Sequence, residues 1–356
     1  MFWYRILIAV VVAGQGHVVA QQKARTATRV QAEREAAESV RISGPTLGYF
    51  FDSAQAGIVP IWGIPGAATV GQPLELGLEL VKAAVAPQQD YALAEANGEP
   101  GLLVLRLDPA PFSRQPLPQA LTGAERIVFS PRGTSVALYD RGAGRIQVLT
   151  GMPAEPVVSA EVDLAGIGAA PATLAVSDDG QVILVADSEG YVSVLTAGGE
   201  SRYVMAAGEA SALAFLNNSH DAVIADRGRN TVYLVRDVTG AMEARSLAGE
   251  RDGVSGPLAV EASRDNLRVF IANGESSSVV ALDLATGLAT LVPCPYPVTG
   301  LRRLSGNAVF ALSEPSDGPL PLFDGDSSEP RIVLVPVAER WRSAALDNPM
   351  AGHFQQ

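Results

Sequence analysis

The side chains that most often carry nucleophilic or metal chemistry are scarce in this chain: three histidines and one cysteine. His17 and His353 fall near the two ends, and only His220 lies in the body of the sequence, in the turn-like run Asn217-Asn218-Ser219-His220-Asp221. A Ser–His–Asp or Cys–His relay needs a histidine held beside its nucleophile, and a histidine-rich zinc site needs several together. His220 reads as a solvent-exposed turn residue, so no catalytic residue is assigned. Cys294 reads as a small buried hydrophobe on a strand, and a lone cysteine forms no intramolecular disulfide.

Carboxylates are the remaining candidates. Asp52, Asn97, Asp140, Asp187, Asp226 and Asn273 recur at similar intervals, each at the end of an apolar run, and Ser313 ends the last such run. Several acids around one opening would bind Ca²⁺ through hard oxygens, or do acid–base work if two of them approached and split their pKa values. The plainer account is that Asp and Asn form turns, because their side chains bond nearby backbone and tolerate left-handed geometry. Asp324-Gly325-Asp326-Ser327-Ser328-Glu329 starts like a calcium loop but lacks its length, central glycine and terminal bidentate glutamate. Asp324 and Asp326 are therefore weak metal candidates, and no metal is assigned. Arg302 and Arg303 are an oddity, a charged pair on an otherwise apolar segment, able to direct a guanidinium at an anion. No phosphate-cradling glycine loop, dinucleotide fingerprint or CxxC motif is present, so no cofactor is expected.

The elements that position these residues are repeats. Residues from Leu174 (LAVSDDGQVILVADSEGYVSVLTAGG) and from Leu258 (LAVEASRDNLRVFIANGESSSVVALDLATG) share one frame of short apolar strand, polar turn, β-branched strand, second turn and third strand. Ile127, Leu213, Ala83 and, more weakly, Leu301 open further copies. The strand-closing positions recur roughly every 40–45 residues, the length of one blade of a β-propeller. Fourth strands are read at Ser201–Ala206, Glu243–Ala248, Ala289–Cys294 and Arg331–Val337. The prediction is an all-β, seven-bladed β-propeller of four-stranded blades, with strands A (innermost) to D (outermost). Its B–C and D–A loops share the face on which the recurring Asp and Asn, Arg302 and Arg303 are expected to meet a ligand. The first unit has a B strand at Leu47–Phe51 and a C strand at Ile58–Trp62 but no A strand. A C-terminal innermost strand over 340–348 is expected to pair beside Leu47–Phe51 and close the ring, removing two sheet edges.

Ser177-Asp178-Asp179-Gly180 through Val185-Ala186-Asp187, and Phe270-Ile271-Ala272-Asn273 through Thr286-Gly287, resemble the YVTN family of propeller repeats, and Pro131-Arg132-Gly133 and Thr239-Gly240 match parts of its pattern. The resemblance extends over about residues 44 to 349. It implies the propeller fold and a superfamily that includes surface proteins, binding proteins and lactone hydrolases, so it does not choose among chemistries.

The ends and the charge set the context. Arg5, the apolar run Ile6–Val12 and the small-residue site Val18-Val19-Ala20 read as a signal peptide over 1–20, the run being too short to span a bilayer. Residues 21–43, charged and without an apolar stripe, read as a flexible spacer or marginal helix, 44–349 as the propeller and 350–356 as a tail. A net charge of −12 argues against nucleic acid, which needs a clustered basic surface. The expectation is a secreted or periplasmic monomer with no membrane span after signal cleavage, binding an unidentified protein, peptide or glycan. The alternative is a lactonase-like hydrolase working from carboxylates at the channel mouth with a divalent metal.

Overall fold

A run such as Val182-Ile183-Leu184-Val185-Ala186, apolar at every position, is stable as a strand only if both its faces are covered. The computed structural model, which describes residues 44–337 except 108–111, 166–169 and 315–317, covers them by setting antiparallel sheets face to face around an axis. The architecture is a seven-bladed β-propeller. Blade 1 holds β1 (Thr46–Asp52), β2 (Gly57–Ile64) and β3 (Ala67–Val70), and blade 2 holds β4 (Leu80–Val85), β5 (Tyr91–Ala96), β6 (Leu102–Arg106) and β7 (Ser113–Leu117). Blade 3 comprises β8 (Arg126–Phe129), β9 (Ser135–Asp140), β10 (Arg145–Thr150) and β11 (Val157–Asp163). Blade 4 runs through β12 (Pro171–Val176), β13 (Val182–Asp187), β14 (Tyr191–Thr196) and β15 (Ser201–Ala206). In blade 5 the strands are β16 (Ala210–Phe215), β17 (Ala222–Asp226), β18 (Thr231–Arg236) and β19 (Glu243–Ala248). Blade 6 has β20 (Pro257–Ala262), β21 (Arg268–Asn273), β22 (Ser278–Asp283) and β23 (Ala289–Pro293); blade 7 has β24 (Arg302–Arg303), β25 (Val309–Ala311), β26 (Leu320–Asp324) and β27 (Arg331–Val335).

The core is distributed between blades. Leu184, Ala186 and Val192 of blade 4 pack on Phe215, Ala222 and Ile224 of blade 5, and a comparable cluster fills each of the other junctions. One of them joins Leu47, Phe50 and Ile61 of blade 1 to Leu304, Leu320 and Leu322 of blade 7, which closes the ring. The B and C strands, sandwiched on both sides, are mostly buried, β17 throughout, whereas D strands such as Glu243–Ala248 are largely exposed and polar.

Blade 1 shows three strands among the described residues, β1 standing at the B position as its sequence implies. The proposed closing strand at 340–348, like the segments 1–20, 21–43 and 350–356, lies outside the described residues. On the inner edge of β1, Leu47 O accepts from Ser305 N at 2.8 Å, and Tyr49 N donates to Gln89 Oε1 at 2.6 Å. Gln89 occupies the turn position that is Gly133, Gly180 and Asn266 in other blades, where φ is positive. Gln89 has φ 65° there despite its long side chain, and positive φ disfavours such residues. Its buried amide repays the strain by joining three blades, since Nε2 also donates to Arg303 O at 2.7 Å.

Candidate functional site

The backbone bonds that close the A–B turns fix equivalence between blades. They run to the carbonyls of Tyr91, Ser135, Val182, Asp221, Arg268 and Val309. On that register Asp140, Asp187, Asp226 and Asn273 share one position, whereas Asn97 falls one residue beyond it, where Ala96 stands, and Ser313 one short of Glu314. The matched residues turn inward on their own loops. Asp52 Oδ1 accepts from Ala54 N at 2.9 Å, Asp140 Oδ1 from Ala143 N at 3.0 Å, and Asp187 Oδ1 from Glu189 N and Tyr191 N, both at 2.9 Å. Asp226, fully buried, takes Gly208 N, Glu209 N and Arg229 N as well as the Arg229 guanidinium at 3.0 Å. Asn273, also buried, accepts from Ser255 N and donates to Gly253 O and Ser278 Oγ. Asn97 is exposed. Apart from Asn97, these side chains organise the B–C turns or the D–A loops beside them, and none of them lines the channel cavity.

Arg302 and Arg303 do reach the channel. They line a cavity of about 270 Å³ with Glu261 and apolar residues of the other inner strands, including Val128, Ala175 and Phe215. Arg303 is buried, 4.8 Å from the centre of the Phe310 ring, and gives Nη2 to Glu261 Oε2 at 3.1 Å and to Ala262 O, and Nη1 to Asn307 O. Arg302, exposed, pairs with Glu314 at 2.5 Å. Glu261 is not among the candidates named from the sequence. The signal was present, since Glu261 stands where the corresponding strands carry alanine or valine (LAVEA against ATLAV, SALAF and ERIVF).

The A–B face, where the sequence offers only His220, holds the most connected polar groups. Arg132 N donates to Asp178 Oδ1 and Asn218 N to Asp178 Oδ2, both at 2.8 Å, joining blades 3, 4 and 5. Asn217 N to Asn266 Oδ1 and Asp265 N to Asn307 Oδ1 carry the chain of bonds to blades 6 and 7, and Tyr91 Oη to Gly133 O joins blades 2 and 3. With Gln89 and Ser305 the bonds make a closed belt. His220 belongs to it, with Nε2 2.9 Å from Asp179 Oδ2 on blade 4 and Nδ1 3.3 Å from Thr239 Oγ1. Burial alone would raise the Asp179 pKa, but hydrogen bonds from Ser177, Gln181 and His220 outweigh it and hold the carboxyl below its usual value. Burial, and Arg303 nearby, lower the pKa of Arg264. Burial raises that of Cys294, which fits an inert thiol.

The weak metal candidates are engaged by cations and amides. Arg331 places Nε and Nη2 on Asp324 Oδ2, and Asp326 Oδ2 accepts from Asn307 N at 2.8 Å with Arg268 3.9 Å from Oδ1. Among the described residues no three His, Cys, Asp or Glu are grouped to hold a metal, and no helix is long and apolar enough to cross a membrane.

No family model matches the sequence, and no curated protein matches it. Solved structures share the fold. A functionally unknown protein from Desulfotomaculum acetoxidans is 11% identical, with a TM-score of 0.57 over 83% of this chain and 100% of that one. The WD40 repeats of RRP9 are 13% identical, with a TM-score of 0.53 over 78% and 86%. Virginiamycin B lyase from Staphylococcus aureus is 14% identical, with a TM-score of 0.49 over 71% and 83%. At these identities the likeness is one of fold.

Proposed function

We propose that the chain is an exported binding module that engages a protein or peptide through the face carrying its B–C and D–A loops. The observation that supports this reading is where the turn carboxylates go. Asp52, Asp140, Asp187 and Asp226 are bound by backbone amides of the loops, which leaves a stiff rim instead of a convergent acid–base pair. That rim carries partly exposed charges of both signs, Arg114–Glu99 at 2.9 Å, Arg141–Glu125 at 3.3 Å and Arg227–Glu209 at 3.7 Å. Alternating exposed charge sets partner choice and approach rate more than raw affinity. The N-terminal signal-like segment supports export.

The test is selection from a random peptide-display library on the immobilised full chain, with a glycan array in parallel. A peptide whose binding is lost in the pair Glu125→Lys/Arg227→Glu, and kept in the A–B-face variant Arg132→Glu, bears the reading out. Selected binders indifferent to the rim pair, or capture of glycans alone, would overturn it.

A further inference from the structure

One level of the channel departs from the pattern of the others. The strand register makes Ala84, Val128, Ala175, Ala214, Glu261 and Arg302 equivalent; they pair with Leu93, Ala137, Leu184, Val223, Phe270 and Ala311 respectively. On blades 2 to 5 this level is small and apolar. On the adjacent blades 6 and 7 it carries two side chains of opposite charge, and both line the cavity. Charged groups on an innermost strand are costly to desolvate, so their geometry matters.

Neither charge is spent on the other. Glu261 Oε2 accepts from Arg303 Nη2, while Oε1 carries no hydrogen bond among the described residues. Arg303 is itself buried and committed to Ala262 O, Asn307 O and the Phe310 ring. It fixes the carboxylate without closing it off. Arg302 gives only Nη2 to Glu314, whose side chain is 75% exposed, so the pair at the mouth is readily exchanged. The channel thus presents an acceptor and a donor fork at one level of adjacent blades, in a cavity also lined by Val128, Phe129, Ala175 and Ala214.

We propose that this channel binds a small zwitterion with an apolar body, of the free α-amino-acid type. The ammonium sits on Glu261 Oε1, the carboxylate on the free edge of the Arg302 guanidinium, and the apolar group against blades 3 to 5. Arg suits the carboxylate because its fork matches two oxygens. At about 270 Å³ the cavity lies just under the roughly 300–1,000 Å³ of ordinary ligand pockets, which fits one molecule of amino-acid size. The site uses residues that the rim reading does not, and stands apart from it.

Thermal-shift and calorimetric titrations of the full chain with L-leucine and L-phenylalanine test the assignment, with 3-methylbutylamine, 2-phenylethylamine, 4-methylpentanoate and 3-phenylpropanoate as half-ligands. The zwitterions are expected to raise Tm by mass action, and each half-ligand to bind far more weakly. Arg302→Gln should weaken binding of the zwitterion roughly tenfold or more, the loss of one charged hydrogen-bond set. Glu261→Gln should do the same, but it also unpairs Arg303 and can harm folding. Ala214→Phe therefore serves as the second variant, filling the channel while leaving both charges in place, and should abolish binding. No rise with either amino acid, equal binding of a half-ligand, or binding that survives Ala214→Phe would overturn the proposal. The rim pair Glu125→Lys/Arg227→Glu should leave amino-acid binding intact. Loss of a rim binder alone therefore sinks only the rim reading, and loss of channel binding alone sinks only this one.

Discussion

Arg264, on the A–B turn of blade 6, donates Nη2 to the carbonyl of Pro87 on the A–B turn of blade 2 at 2.9 Å, spanning blades 7 and 1. Nη1 meets Gln88 Oε1 and Nε gives a 2.6 Å bond to Gly306 O. This chord ties blades that are not neighbours. Arg264→Ala strips four acceptors of their partner, Leu304 O at 3.4 Å being the fourth, and is expected to lower the unfolding free energy by roughly 2–3 kcal/mol, read from urea denaturation. A loss below about 0.5 kcal/mol would mean that the chord carries no load.

The loop residues should separate by how much backbone they hold. Asp226→Ala frees several amides around a buried carboxylate and is expected to cost about 3 kcal/mol. Asp187→Ala removes two exposed turn bonds and should cost about 1 kcal/mol. Asn97→Ala, one residue off the register, should fall within about 0.5 kcal/mol of the parent. Equal effects in the three, by denaturant midpoint, would refute the turn role.

Asp179 sets a pH dependence. Its folded pKa lies below the ordinary carboxylate value, so its contribution is complete above that value and fades as pH falls through the folded one. Asp179→Asn should be less stable than the parent at neutral pH and should converge with it below about pH 4. The parameter to follow is Tm against pH, and the difference should be small because the carboxyl is mostly exposed. A gap that widens on acidification would contradict the bonding described.

Calcium and EDTA should each leave Tm unchanged. Arg331 and Asn307 already hold Asp324 and Asp326, and a cation would have to displace a guanidinium to enter. A Ca²⁺-specific rise that EDTA reverses would show that the loop rearranges into a site.

The propeller was legible because one turn chemistry recurs. Asp52, Asp140, Asp187 and Asp226 close the B–C turns for a local reason that a reader of the sequence can supply, whereas Asn273 holds the preceding D–A loop through Ser255 N and Gly253 O. The single-residue slips at Asn97 and Ser313 arose because a strand end is set by cross-strand pairing, here Tyr91 and Val309 against their inner strands, and not by the nearest polar residue. The sequence shows His220 only as a solvent-exposed turn residue because its partner Asp179 lies on another blade. Gln89, Arg264 and the pairing of Glu261 with Arg303 gave no local signal, since each depends on which blades the ring makes adjacent. Glu261 alone could have been caught, by aligning the inner strands column by column.

The apolar clusters lie between blades, and none belongs to one blade. An excised blade would therefore expose two half-cores, and a deletion of one blade would leave six unmatched to the curvature of seven. Moving the chain ends to another surface loop removes no such interface. The molecule should accept circular permutation more readily than shortening, because its indivisible unit is the gap between neighbours.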